Sequence, residues 1–237
     1  MALPQINTPT YELEVPSTGD KLKYRPFLVK EEKILMIAME SEEQAAIINA
    51  VKEIVNACTF DKFDVSSLPI FDVEFVFLNI RAKSVGEVSK IKLKCPDDEK
   101  TFVETEIDLT EVNVEMNDGH TNKIELTDEM GIIMKYPSID TFSSSGVEAI
   151  NATNMISIIS DCILQIYDKK GEEIFEAKDS TRKELSEFLE QLNSKQFVEV
   201  QNFFDTMPKL QHTVKVMNPK TKVESEVVLS GLNDFFA

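Results

Sequence analysis

The sequence has few of the residues from which catalytic and metal-binding sites are usually built. Its 237 residues include two histidines, three cysteines, seven glycines and no tryptophan. It contains neither an H-E-x-x-H metal motif, nor a G-x-S-x-G nucleophile turn, nor a glycine-rich phosphate-binding loop. We therefore predict that the protein is not an enzyme and has no catalytic residues, no bound metal and no cofactor.

Basic residues are also scarce relative to acidic ones. The chain has 42 acidic and 25 basic residues, which gives a formal net charge of −17. Such a negative surface repels nucleic-acid phosphates and anionic lipid headgroups. We therefore predict protein partners, and neither nucleic acid, nor membrane, nor a small-molecule substrate.

Cysteine usage and the lack of long apolar runs indicate where the protein works. Cys58, Cys95 and Cys162 lie far apart, and such a sparse, odd set fits a reducing compartment. The first residues have neither the basic nor the apolar region of a signal peptide. The longest apolar stretches are interrupted well before they could span a membrane. The sequence predicts a soluble intracellular protein.

Two kinds of apolar spacing alternate along the chain and predict an α+β fold of hairpins and packed helices. Alternation of apolar and polar residues indicates strands, and it predicts β-hairpins at 11–26, 87–109 and 210–229. Apolar residues three and four positions apart, such as Ile34, Ile37 and Ala38, indicate a helical face. The predicted helices span 31–40, 42–57, a segment from Pro69 to about residue 83, 147–167, 181–192 and 195–206.

The segment TFSSSG at 141–146, small and polar, is the best candidate for a linker. We predict an N-terminal α+β domain at 1–140, which contains the first two hairpins and the helices between about 31 and 83. The C-terminal domain, 147–237, is predicted to be helical and to contain the third hairpin.

The second and third hairpins share a layout in which a turn containing proline joins two alternating strands. Each predicted subdomain thus has a hairpin like those of zinc ribbons, whose turns supply two cysteines as C-x-x-C. In the first turn Cys95 is retained but Asp98 stands where the second cysteine would fall. In the other turn Asn218 and Thr221 occupy the two places. Because one thiolate cannot complete a tetrahedral site, we predict zinc-ribbon-like hairpins that have lost their metal ligands.

The run Asp97-Asp98-Glu99 in the first of these turns is open to two interpretations. Three carboxylates could hold a divalent cation and serve an enzyme. Charged residues on a turn are more often simply solvated, and this second interpretation is favoured.

Several segments resemble the baseplate hub assembly proteins of T4-like bacteriophages. The most specific is LPIFDVEFVFLNIRAKSVGE at 68–87, and the others are ELEVPSTGDKLKYRPFLVKEEKILMIAMES at 12–41, IKLKCP at 91–96 and LSGLNDFF at 229–236. The similarity covers most of the chain and is weak at 111–145. The family pattern has C-P-x-C where this sequence has CPDD at 95–98, so the resemblance does not imply a bound metal here.

The resemblance implies a non-enzymatic role in building the hub at the centre of the tail baseplate of a contractile-tailed phage. The protein would act by protein–protein binding, either as a structural subunit or as an assembly chaperone. Its partners would be other baseplate hub and tail assembly proteins, and it would be found in the host cytoplasm during assembly or in the virion tail baseplate. The alternative is a degenerate zinc-ribbon-type regulatory or nucleic-acid-binding module.

Two segments are candidates for partner contact. In KYRPFLVKEEK at 23–33 the candidate residues are Tyr24, Arg25 and Phe27. At the C-terminal end they are Leu232, Phe235 and Phe236. The alternative for the second set is that Phe235 and Phe236 close a core.

Overall fold

Helices and short antiparallel sheets follow one another along the chain, which confirms the predicted α+β class. The structure is a computed structural model that describes residues 6–41, 43–141 and 155–236, without the side chains of residues 44, 233 and 236. The described strands are β1 (Tyr11–Glu14), β2 (Lys21–Tyr24), β3 (Val88–Lys94), β4 (Phe102–Asp108), β5 (Asn113–Glu115), β6 (Lys123–Glu125), β7 (Met130–Met134), β8 (Ile163–Asp168), β9 (Glu173–Glu176), β10 (Lys209–Met217) and β11 (Glu224–Ser230). The described helices are α1 (Val29–Glu40), α2 (Gln44–Cys58), α3 (Ile70–Val85), α4 (Met155–Cys162), α5 (Arg182–Glu190), α6 (Ser194–Thr206) and α7 (Gly231–Phe236).

The chain forms two units, and the first is discontinuous in sequence. Unit 1 contains Met1–Glu115 together with Lys209–Ala237, and unit 2 contains Met116–Pro208. The hairpins predicted at 11–26, 87–109 and 210–229 correspond to the antiparallel pairs β1–β2, β3–β4 and β10–β11, all of which lie in unit 1.

Helix α3 lies at the centre of unit 1 because it is apolar on more than one face. Its buried side chains include Phe71, Val76 and Ile80, and a helix that is apolar nearly all round can be stable only inside a core. The strands of β3–β4 and β10–β11 alternate, with one face buried. The core shared by α3, these hairpins and α7 includes Leu78, Ile91, Leu93, Ile107, Leu210, Val214, Leu229 and Phe235.

Unit 2 is built on a four-stranded antiparallel sheet with the order β6–β7–β8–β9. Helices α4, α5 and α6 belong to the same unit. Helix α5 begins with a capping box, in which the Thr181 hydroxyl accepts a hydrogen bond from the Glu184 N–H and the Glu184 carboxylate accepts one from the Thr181 N–H. The core of unit 2 includes Ile132, Ile159, Cys162, Ile163, Leu189, Val200 and Phe203.

The arrangement of the hairpin at 210–229 differs from the predicted division into 1–140 and 147–237. This hairpin was expected beside the C-terminal helices, but β10 pairs with β5, where Leu210 lies opposite Val114. It is therefore part of unit 1, and residues 116–208 are inserted between these two paired strands. Of the predicted linker, only residue 141 falls within the described residues.

The helix predicted at 147–167 is also wrong in its second half. The described part begins at residue 155, and the helix ends at Cys162, after which β8 continues to Asp168. Ile166 lies opposite Ile132 of β7. The run of isoleucines fits a buried helix and a buried strand equally well. β-branched residues favour strands, and pairing with β7 decides the outcome here.

Candidate functional site

Helix α1 presents apolar side chains to solvent. Val29, Met36, Ile37 and Met39, here called the α1 surface, are each 52 to 80% exposed. The buried residues of this helix are Glu31 and Ala38. A helix at the surface of a protein normally buries its apolar stripe. Exposed apolar side chains gathered on one element are typical of a protein–protein contact site.

The N-terminus of α1 is fixed by the buried carboxylate of Glu31. One carboxylate oxygen lies 2.8 Å from Nη2 of Arg25, and the other accepts a 2.8 Å hydrogen bond from the Leu28 N–H. Burial opposes ionisation of Glu31, but hydrogen bonds from Arg25, the Leu28 N–H and Lys30 outweigh it and lower the pKa of the carboxyl below 4.5. The N–H of Phe27 donates to Ser84 Oγ of α3 at 2.9 Å. The start of α1 is therefore held to the core of unit 1.

The predicted contact residues at the N-terminal end support α1 and do not form its outer surface. Tyr24 and Phe27 are 2% and 8% exposed. Arg25 is occupied by its ion pair with Glu31 and by a hydrogen bond to the Pro26 carbonyl. The burial of Tyr24 and Phe27 places these two side chains in the core of the isolated chain, whereas Arg25 is half-buried. The exposed apolar part of the same segment is Leu28 and Val29. Partner contact by Tyr24, Arg25 and Phe27 stays a prediction.

At the C-terminal end, the structure agrees with a core role for Phe235. Its side chain is fully buried in unit 1, and its carbonyl accepts a 3.2 Å hydrogen bond from Ser89 Oγ. Leu232 is partly buried against the same core. The side chain of Phe236 lies outside the described residues. Partner contact by this segment stays a prediction, and for Phe235 it would require α7 to leave the core.

A carboxylate lies where α7 begins. The carboxylate of Glu74 on α3 accepts a hydrogen bond from the Leu232 N–H, while burial raises the pKa of this carboxyl to about 7. Gly231 has a φ of +72°, and a Cβ at this position would lie 3.2 Å from a carboxylate oxygen of Glu74. The chain turns from β11 into α7 at this glycine, directly beside a carboxylate that is costly to ionise.

The two proline turns that were compared with zinc-ribbon turns are in contact. The Nδ2 of Asn218 lies 2.9 and 3.1 Å from the two carboxylate oxygens of Asp97. The hydroxyl of Thr221 also donates to Asp97. These hydrogen bonds, from Thr221 first and then Asn218, lower the pKa of the Asp97 carboxyl. Asp97 therefore joins the β3–β4 turn to the β10–β11 turn.

The donor set at these turns does not fit a zinc ion. A zinc ribbon needs four thiolate or imidazole ligands, and the corresponding positions here supply one sulfur, from Cys95. Burial raises the pKa of this thiol, and the neighbouring Asp97 and Asp98 raise it further, so that the thiolate is disfavoured. Asp98 accepts hydrogen bonds from Thr101 Oγ1 at 2.6 Å and from the Thr101 N–H at 2.9 Å.

The rest of the described chain offers no better metal site. Within residues 6–41, 43–141 and 155–236, no group of three His, Cys, Asp or Glu side chains is placed to hold a metal ion. Of the carboxylates at 97–99, the first two are used in hydrogen bonds within and between the turns. Their arrangement serves to hold the turns.

The α1 surface was missed because its residues fit an ordinary helical face. The spacing of Ile34, Ile37 and Ala38 is that of a stripe facing a core, yet Ile37 is 57% exposed. A usable signal was the run of six consecutive apolar residues at 34–39, which covers the whole circumference of the helix. One packed face could not bury all six.

Comparison with known proteins identifies the family. A family model described as T4 bacteriophage base plate protein matches residues 8–237. Comparison with curated proteins and with solved structures gives no match. Among the described residues, no helix combines the length and the apolar character needed to cross a membrane. Because the family match covers nearly the whole chain, the protein belongs to the T4 bacteriophage base plate protein family.

Proposed function

We propose that this baseplate protein takes part in building the baseplate hub by binding other tail proteins through the α1 surface, without catalysing a reaction. The observation that supports this proposal is the exposure of Val29, Met36, Ile37 and Met39 on one helix. The helix is anchored by the buried pair of Arg25 and Glu31, which holds the surface in place before a partner arrives. A preorganised surface loses less conformational entropy when it binds.

The charge of the chain indicates the chemistry of the partner. At a net charge of −17 a second copy of the same chain is repelled. The occupant of the α1 surface is therefore another baseplate subunit, with an apolar centre to receive Met36 and Ile37 and basic groups around it. Such a contact is stoichiometric, and it serves equally well in a permanent subunit and in an assembly chaperone.

The test is co-expression with the other baseplate hub proteins, followed by affinity purification. The variant Met36→Gln with Ile37→Gln removes apolar contacts while keeping good helix formers. We expect at least tenfold weaker capture, because an apolar anchor at the centre of an interface costs about 1 kcal/mol or more when it is removed. Ile174→Gln is the matched control, since Ile174 is 64% exposed but lies on β9. Equal capture of the double variant and the native chain at equal melting temperature would refute the proposal.

The place of the protein in the particle is a separate question. As a baseplate protein it belongs to the phage tail, and we propose that it joins the hub while assembly proceeds in the host cytoplasm. Mass spectrometry of mature particles distinguishes the two forms of the proposal. One copy or more per hub indicates a structural subunit, whereas its absence from intact particles indicates an assembly chaperone.

A degenerate zinc-ribbon-type regulatory or nucleic-acid-binding module is the second candidate function. The observation in its favour is the direct contact between the two proline turns through Asp97 and Asn218. The net charge of −17 counts against nucleic acid. Binding of duplex DNA or single-stranded RNA at 50 mM salt, measured by fluorescence anisotropy, would favour this candidate, and the assembly role predicts no binding.

A further inference from the structure

Two turns that are far apart in sequence share a hydrogen bond and a positive φ over their first five residues. In the first, the N–H of Glu99 donates to the carbonyl of Cys95 at 3.0 Å, and Glu99 has a φ of +54°. In the second, the N–H of Lys222 donates to the carbonyl of Asn218 at 2.9 Å, and Lys222 has a φ of +63°. In each turn the residue four positions after the first, Glu99 or Lys222, has its backbone in the left-handed region. Cys95 corresponds to Asn218, and Asp98 corresponds to Thr221.

The first residue of each turn is buried, but the two residues are chemically different. Cys95 and Asn218 are each 1% exposed. The amide of Asn218 is fully used: Nδ2 donates to Asp97, and Oδ1 accepts from the N–H groups of Lys220 and Thr221 at 2.9 and 3.3 Å. A buried amide without these partners would be costly, which ties the position of Asn218 to that of Asp97.

The residue that crosses between the turns is not one of the four that a metal would use. Asp97 is the third residue of the first turn, and its carboxylate receives the amide of Asn218 and the hydroxyl of Thr221. Asp98, at a ligand position, accepts its main hydrogen bonds within its own turn, from Thr101 and from the Lys100 N–H at 3.0 Å. The amide of Asn218 makes a smaller contribution to the lowered pKa of this carboxyl. The contact between the turns is therefore made by the third residue of the first turn, Asp97, and not by the first or fourth residue, where the metal ligands of a zinc ribbon would lie.

We infer that the paired turns form a metal-free clasp, in which the Asp97 carboxylate takes the structural part that a metal ion plays in a zinc ribbon. The clasp joins the β3–β4 hairpin to the β10–β11 hairpin, which are separated by the whole of unit 2 in sequence. Unit 1 is then completed only after its C-terminal hairpin has been made and has docked.

The clasp is tested on the full chain by metal analysis and thermal unfolding. We expect less than one tenth of an equivalent of zinc per purified chain and an unchanged melting temperature in the presence of a chelator. Asp97→Asn should lower the melting temperature of unit 1 by about 2 to 6 °C, because the buried amide of Asn218 then faces an amide as well as an oxygen. The matched control is Glu99→Gln, which removes the same charge from the same turn at a side chain that is exposed, as Asp97 is, and it should leave the melting temperature within about 1 °C.

A double-mutant cycle identifies the contact itself. Thr221→Val is a mild change that keeps the shape of the side chain and removes the donor to Asp97. For this cycle Asp97 is replaced by alanine, which leaves no acceptor for Thr221. The clasp predicts that Asp97→Ala and Thr221→Val together lower the melting temperature by less than the two separate effects added. Full additivity, or equal effects of Asp97→Asn and Glu99→Gln, would overturn the inference. So would one equivalent of zinc that is lost in Cys95→Ser.

Discussion

Replacing Glu74 by glutamine is expected to stabilise unit 1 at pH 8 and to have little effect at pH 5. The carboxylate of Glu74 is partly buried beside the start of α7, where it accepts a hydrogen bond from the Leu232 N–H. Glutamine keeps a side-chain oxygen for that hydrogen bond and removes the charge. The substitution therefore separates the cost of burying a charge from the benefit of the hydrogen bond.

The magnitude follows from the pKa of this carboxyl, which burial raises from 4.5 to about 7. Each pKa unit corresponds to about 1.4 kcal/mol, so the ceiling is about 3 kcal/mol. Because Glu74 is partly exposed, solvent reduces the penalty, and we expect Glu74→Gln to raise the free energy of unfolding at pH 8 by about 1–2 kcal/mol.

The sign depends on which state binds the proton more tightly. The Glu74 carboxyl has a higher pKa in the folded chain than in the unfolded chain, so between pH 4.5 and about 7 the folded chain keeps a proton that the unfolded chain has released. The stability that this bound proton contributes is complete below pH 4.5 and is lost as the pH rises through about 7. The native chain therefore carries the full penalty at pH 8, and the variant does not.

The assay is urea unfolding of the native chain and of Glu74→Gln at pH 5 and pH 8, followed by circular dichroism. Glu104→Gln, at an exposed position of β4, is the matched control and should have no effect at either pH. The reasoning is refuted if Glu74→Gln changes stability equally at the two pH values, or if it destabilises unit 1 more at pH 8 than at pH 5.

Three further changes probe other parts of the structure. Phe235→Ala should cost about 3–5 kcal/mol in urea unfolding, because the ring is fully buried; a cost below about 1 kcal/mol would show that α7 is not part of the core. Glu31→Gln should lower the free energy of unfolding by about 2–4 kcal/mol in the same assay, because it leaves the Arg25 guanidinium without an opposite charge. An unchanged free energy would contradict the proposed anchoring of α1. Burial lowers the pKa of His120, so stability should fall as the pH drops below about 6.5 and the unfolded state takes up a proton first; His120→Gln should flatten this dependence in thermal melts, and an unchanged slope would refute it.

The regular parts of the fold were predictable because local pattern and final environment agree. In β3 the alternation of Ser89, Ile91 and Leu93 with lysines matches a strand that has one buried face. The run from Ile70 to Val85 has apolar residues on more than one helical face, as a central helix requires. The family resemblance also rested on this segment, and the family model that matches residues 8–237 confirms it.

Features that depend on distant partners could not be predicted. Nothing in the local sequence of Leu210 indicates that it will lie opposite Val114 of β5, and the division of the chain was therefore wrong at this hairpin. Ile163 and Ile166 become a strand because β7 lies beside them. Spacing alone cannot reveal a partner that arrives from elsewhere in the chain.

The candidate sites show the same limit. Alignment of the two turns on their prolines identified Cys95, Asp98, Asn218 and Thr221 as equivalent positions, but the residue that joins the turns is Asp97. Its role depends on the distance between side chains that lie 121 residues apart. The exposure of the α1 surface likewise follows from what the rest of unit 1 leaves uncovered.

The most direct test of the proposed function is amide hydrogen exchange on α1. The chain would be measured alone and in the complex purified after co-expression with the other baseplate hub proteins. If the partner binds the α1 surface, amides of residues 29–40 exchange at least tenfold more slowly in the complex than in the free chain, while those of β9, at 173–176, exchange at the same rate. A complex in which 29–40 exchange as fast as in the free chain would contradict it.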